Sequence, residues 1–171
     1  MINLIKKIIL LLLLISSSLD SSLIKITFIE KISEFISWPI LGNEFVIGVY
    51  KDEQLKDEMS EIYKDKTIQK LPIKVYNIQN EKDIETNKIN LMYITKELSS
   101  DLDQILKKIN NSPILLITEF PNDVYQGIHL GLYYENQKIK FIINQEALEN
   151  AKLKASYKIL KLAKVIKDEK Q

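Results

Sequence analysis

Cysteine is absent from all 171 residues, and so is arginine: the positive side chains are all lysine. Without cysteine there is no disulfide, no lipoprotein attachment point and no thiolate nucleophile. Without arginine there is no planar fork for bidentate recognition of phosphate or carboxylate, because lysine offers only a point charge. A single histidine, His129, excludes a His-rich metal centre. The four glycines form neither a G-x-x-x-x-G-K phosphate loop nor a G-x-S-x-G nucleophile elbow. A net charge of +1 gives no global attraction to nucleic acid. Two carboxylate pairs remain. Glu30 and Glu34 read as a solvated helix face beside Lys31, and Asp101 and Asp103 as acids favouring a helix dipole. Catalytic residues, cofactor and metal are therefore each expected to be none.

What is present is a core. Hydrophobic residues make up 46% of the chain and charged residues 27%, which fits one globular domain rather than a disordered tract. The N-terminus has the layout of a secretory leader. Lys6 and Lys7 supply positive charge, Ile8–Ile15 an apolar run, and "SSSLDSS" small residues cleavable after Ser18 or Ser22. The run is far shorter than the ~20 residues that span a bilayer. Residues 1–22 are thus expected as a signal peptide, with an uncleaved anchor as the alternative, and residues 23–171 as one domain.

Along that domain, apolar spacing near 3.6 predicts a helix from Leu23 to Ser37, stopping before Trp38-Pro39. "FVIGVY" (45–50), "INLMYI" (89–94) and "PILLIT" (113–118) are short apolar runs, as expected of strands buried on both faces. "LPIKVYNI" (71–78) is a further strand. Gln54–Tyr63 and Ser99–Asn110 suit helices, the latter capped by Ser99 or Ser100. Ile128–Tyr134 and Lys138–Ile143, joined by "ENQ", form an antiparallel hairpin. Helices over Gln145–Lys152 and Ser156–Lys167 close the chain. The predicted fold class is α/β. It is a single-domain sandwich with a mostly parallel central sheet, an antiparallel C-terminal hairpin and helices on both faces.

Several side chains carry local expectations. Asn144 and Ser156 stand where strand or loop hands over to helix, and both are expected as N-caps. Trp38 serves either as a helix-end anchor or as a partner contact, since tryptophan is enriched at interface hot spots. Tyr133 and Tyr134 are adjacent on one strand, so one faces out if the other faces in. Lys158, Lys161 and Lys164 mark the solvated face of an amphipathic helix, or a face for an acidic partner or an anionic membrane.

Three segments resemble the YfiR-like family of exported bacterial proteins. They are "FIEKISEFISWP", "FVIGVYKDE" with Gly48, and "IHLGLYYENQKIKFIINQEALENAKLKASYKILKLAKV". Ile143-Asn144, Ala147, Ala151, Leu153, Ser156, Leu160, Leu162 and Ala163 fall where the family's ending expects them. Gln126-Gly127 stands where members often have paired glycines, and members' cysteines are missing here. The resemblance implies a periplasmic regulator that binds the periplasmic region of an inner-membrane diguanylate cyclase or sensor protein and represses it, in cyclic di-GMP signalling and biofilm control. The expected partner-binding residues are Trp38, Tyr133 and Tyr134. No nucleic acid partner is expected, and a homodimer is compatible with the sequence. The alternative is a periplasmic small-ligand-binding module feeding a sensor or transport system. Its crevice would lie at strand C-terminal ends, beside Lys51, Thr95, Lys96 and Glu119.

Overall fold

The computed structural model describes residues 22–95, 101–110, 112–136 and 138–166. The expected leader up to residue 21, Lys96 and the caps at Ser99 or Ser100 lie outside the described residues. The chain divides into two units, Met1–Ser33 and Glu34–Gln171. Of the first, residues 22–33 are a helix, α1. Ser33 Oγ donates back to the Ile29 carbonyl at 2.7 Å. The helix ends four residues earlier than its apolar spacing predicts. Glu30 is buried rather than solvated, and pairs with Lys31 at 2.9 Å.

The second unit contains both sheets. Ile36–Ser37 (β1), read as the helix end, is instead a strand paired antiparallel with Lys154–Ala155 (β9). The main sheet has eight strands: Phe45–Tyr50 (β2), Thr67–Ile68 (β3), Leu71–Ile78 (β4), Leu91–Ile94 (β5), Leu115–Thr118 (β6), Leu130–Glu135 (β7), Lys138–Asn144 (β8) and Lys164–Ile166 (β10). Their order across the sheet is β10-β8-β7-β6-β5-β2-β4-β3. The five strands from β4 to β7 are parallel, and β7–β8 is the antiparallel hairpin.

Parallel neighbours need crossovers, and helices supply them. Glu53–Tyr63 (α2) joins β2 to β4, Glu81–Asn87 (α3) joins β4 to β5, and Leu102–Ile109 (α4) lies between β5 and β6. The chain steps one way from β2 to β4 and the other way from β4 to β6, so right-handed crossovers put α2 on one face and α3 and α4 on the other. Packing agrees. Val46, Tyr50, Met92, Ile94 and Leu116 point to the face covered by Ile84 of α3 and Leu102, Ile105 and Ile109 of α4. Their strand neighbours Phe45, Ile47, Val49, Leu91 and Tyr93 are equally buried, which is why these strands read as unbroken apolar runs. On that helical face a Cβ on Gly48 would lie 2.6 Å from Ile78 Cγ1, so β2 and β4 pack there without room for a side chain.

The largest departure is at the C-terminus. The helix expected over Ser156–Lys167 is one turn, Tyr157–Leu160 (α6), and the chain then extends into β10. β10 pairs parallel with β8 in the register Lys164↔Ile142 to Ile166↔Asn144. Val165 and Ile166 are β-branched, and an edge position beside β8 supplies a partner that local spacing cannot reveal.

Candidate functional site

β2 has β4 on one side and β5 on the other, so the chain reverses its direction of travel across the sheet between β2 and β5. In open α/β sheets such a switch point, at the C-terminal ends of the strands, is where crevices form. Here it gathers Tyr50, Lys51, Asp52, Thr95 and Asp101. Lys51 adopts φ 50° and donates its N–H to the Ile78 carbonyl at 2.9 Å, turning the chain sharply out of β2. Asp101 Oδ2 accepts from the Tyr50 hydroxyl at 2.6 Å and from Lys51 Nζ at 2.7 Å. The Lys51 ammonium also stands 4.9 Å from the Tyr50 ring centroid. Asp52 is divided between two tasks. Oδ1 caps α2 by accepting from Leu55 N–H at 3.1 Å, and Oδ2 accepts from Thr95 Oγ1 at 3.0 Å. One strand further along, the Tyr93 hydroxyl donates to Glu119 Oε1 at 2.7 Å.

The electrostatics follow from these bonds. Burial, and then the hydrogen bond to Asp101, push the Tyr50 phenol above its usual value. Burial and the neighbouring Glu119 do the same, more strongly, to Tyr93. The hydrogen bond to Asp101 holds Lys51 firmly protonated. The switch point thus holds the protonated Tyr50 phenol beside a neutralised Lys51–Asp101 ion pair, with the buried Tyr93 phenol one strand further along. Of the residues expected there, Lys51 pairs with Asp101, Thr95 with Asp52 and Glu119 with Tyr93, while Lys96 lies outside the described residues. Tyr50 and Asp101 were not singled out for the crevice. Asp101 was read as a dipole acid; it occupies the cap position of α4 without a side-chain cap bond and reaches across to β2 instead. Among the described residues no cluster of three or more His, Cys, Asp or Glu could hold a metal ion.

The three expected contact residues do not form one surface. Trp38 sits at the N-terminal end of the parallel strands. Its Nε1 donates to the Asn90 carbonyl at 3.2 Å, and its ring meets Phe45 edge-on at 5.0 Å. Tyr133 and Tyr134 lie beyond the opposite end, because β7 pairs with β6 only at Leu130 and Gly131 and then runs on into the hairpin. Tyr133 is half-buried and packs against the core; Tyr134 is 52% exposed.

A third region is structural. Asn144, 5% exposed, accepts at Oδ1 from Ala147 N–H (2.9 Å), capping Gln145–Asn150 (α5), and its Nδ2 donates to the Val124 carbonyl at 3.1 Å. Val124 belongs to a short 3-10 helix, Pro121–Gln126. His129 is 4% exposed, and its Nδ1 accepts from Leu116 N–H at 2.9 Å; burial lowers its pKa to about 4. Ser156 corrects an expectation. It stands at the cap position of α6 but makes no side-chain cap bond, and its buried Oγ has no hydrogen-bond partner. Its main-chain N–H is spent on the Phe35 carbonyl at 2.8 Å, which extends the β1–β9 pairing.

Outside these regions, Tyr125, Tyr157 and Leu162 are 55%, 71% and 75% exposed. A groove of about 300 Å³ runs beside α6, lined by Leu148, Leu153, Ala155 and Leu160 with Gln145, Glu149 and Lys154. The alternation of lysine with apolar residues from Lys152 onward was the only signal of this surface.

No curated protein matches the sequence. Among solved structures the chain is similar to an ABC domain crystallised with L-Trp from Streptococcus pneumonia. The identity is 13% and the TM-score 0.51, over 72% of this chain and 57% of that one. At that identity the likeness speaks for the fold alone, and this chain spans little more than half the length of that one. Among the described residues no helix is long and apolar enough to cross a membrane. A family model described as YfiR/HmsC-like matches residues 22–164, from α1 into β10, and the chain therefore belongs to the YfiR/HmsC-like family.

Proposed function

We propose that this chain is a periplasmic regulatory protein that binds the periplasmic region of a membrane-bound diguanylate cyclase and holds it inactive. The observation that carries this reading is family membership over residues 22–164. Residues 1–22 are read as a cleaved leader, which places the domain on the same side of the membrane as a sensor region. Of the expected contacts, Tyr134 retains the exposure a docking residue needs. Tyr133 packs against the core on the opposite face of β7, and Trp38 would contribute from a separate edge. Repression by binding requires differential affinity: shifting an equilibrium from 1:99 to 99:1 takes ~5.5 kcal/mol. A few aromatic hot spots at 2 kcal/mol or more each are of that order.

Deletion of the gene should raise cyclic di-GMP and surface attachment in the native host, and the rise should disappear when the cognate cyclase is also deleted. Unchanged cyclic di-GMP across envelope stresses would sink the repressor reading. The switch point in strand order between β2 and β5 favours one second reading, a small-ligand-binding module. It would take first place if that deletion had no effect and thermal shift with small amines and carboxylic acids found a stabilising ligand.

A further inference from the structure

α6 is a single turn with two distinct sides. Ile159 points inward at 4% exposure, while Tyr157 and Leu162 stand out at 71% and 75%. The helical course continues past Leu160, with Leu162 N–H donating to the Ile159 carbonyl at 3.0 Å. Tyr157 with Lys161, and Lys158 with Leu162, are therefore i,i+4 pairs and share one outward face. Lys161 Nζ lies 4.5 Å from the Tyr157 ring centroid. Residues 151–166 contain five lysines and no acidic side chain, in a chain whose total charge is only +1. In sequence the segment is flanked by Glu149, which accepts from the Gln145 side chain at 2.9 Å, and by Asp168 and Glu169.

We propose that this face is a membrane-surface docking site that takes the headgroup layer of an anionic phospholipid bilayer. Two large side chains, Tyr157 and Leu162, project into solvent from one turn that also carries Lys158 and Lys161. Projecting side chains of this kind enter a soft interface without needing a matching pocket. A tyrosine ring and a leucine suit the boundary between headgroups and acyl chains, and the lysine stems can lie along it with their ammonium groups among the phosphates. Lysine without arginine fits attraction to a diffuse negative surface better than bidentate recognition of one group. The inference stands whether or not the partner is a cyclase, because it concerns lipid.

The test is co-sedimentation of the full chain with vesicles of mixed phosphatidylglycerol and phosphatidylcholine, against phosphatidylcholine alone. Binding should favour the anionic vesicles and weaken as salt rises. Lys158→Gln with Lys161→Gln should reduce it roughly 30-fold, from about fivefold per lysine near an anionic surface. Lys64→Gln with Lys107→Gln, exposed lysines just past the end of α2 and on α4, should change it by less than about twofold, because they belong to other elements than the docking face. Leu162→Ser should weaken binding while keeping its salt dependence. The N-terminal apolar run and Lys6 and Lys7 are common to every variant, so their contribution cancels in the comparison of variants. Matching thermal melts confirm that each variant folds. Equal binding to both vesicle types would overturn the proposal, as would equal loss in the two double variants. Absence of vesicle binding with retention on a polyglutamate column would overturn it too, and would assign the face to an acidic protein segment.

Discussion

Asn144 donates from Nδ2 to the Val124 carbonyl and accepts at Oδ1 from the Ala147 N–H, so one amide serves both a helix cap and a loop. Capping alone is worth about 1 kcal/mol. Leaving the Val124 carbonyl without its partner adds a desolvation cost. Asn144→Ala should therefore lower unfolding free energy by about 2–3 kcal/mol in urea titration. A loss under about 1 kcal/mol would mean that the loop bond contributes nothing. His129 makes a different kind of contribution. Its ring accepts a strand N–H only when Nδ1 is unprotonated, and its folded pKa of about 4 lies below the ordinary 6.5. Between those values the unfolded chain binds the extra proton. Stability from this group is thus complete above pH 6.5 and is lost as pH falls towards 4, by about 3 kcal/mol in all. His129→Asn keeps an acceptor and does not titrate. Comparing urea midpoints of the two proteins from pH 7 to pH 4 should show the wild type falling more steeply; parallel curves would refute the assignment. The lone histidine could be seen in the sequence, but its place in the β6–β7 junction could not, because Leu116 is thirteen residues away.

Elements were legible where periodicity was strong. β2 and β4 match their apolar runs to the residue, and the hairpin was read from a three-residue connection between two strand patterns. α3 went unread because Glu81–Asn87 holds one apolar residue, Ile84. Its available signal was the capping box, with Asn80 accepting from Lys82 N–H at 3.0 Å and Asp83 accepting from Asn80 N–H at 3.1 Å. α6 and β10 failed for the opposite reason. Lysines at spacing three beside Ile159, Leu162, Ala163 and Ile166 make a convincing helical stripe, yet Leu162 faces solvent and Ile166 pairs with Asn144. Tertiary pairing overrode the local pattern. The exposed turn left behind is the face proposed to meet lipid.

For the whole molecule, the leader reading carries its own prediction. Protein recovered from the periplasmic fraction should begin near Leu19 or Leu23, as N-terminal sequencing would show; intact Met1 on membrane-bound protein would identify an anchor instead. By itself the sequence determined the α/β class, the parallel core and the hairpin, because burial on both faces writes unbroken apolar runs and a short loop permits only one strand direction. It also carried family membership in its ending around Ile143-Asn144. Only the tertiary structure decided which side chains meet. Asp101 keeps its cap position but turns its carboxylate to Tyr50 and Lys51, some fifty residues away. Ser156 makes no side-chain cap bond, and its main-chain N–H pairs with Phe35. Trp38 and Tyr134 part to opposite ends of the strands. Such contacts depend on strand order and register, which are set by the sum of all packing in the sheet and leave no mark in the local spacing of residues.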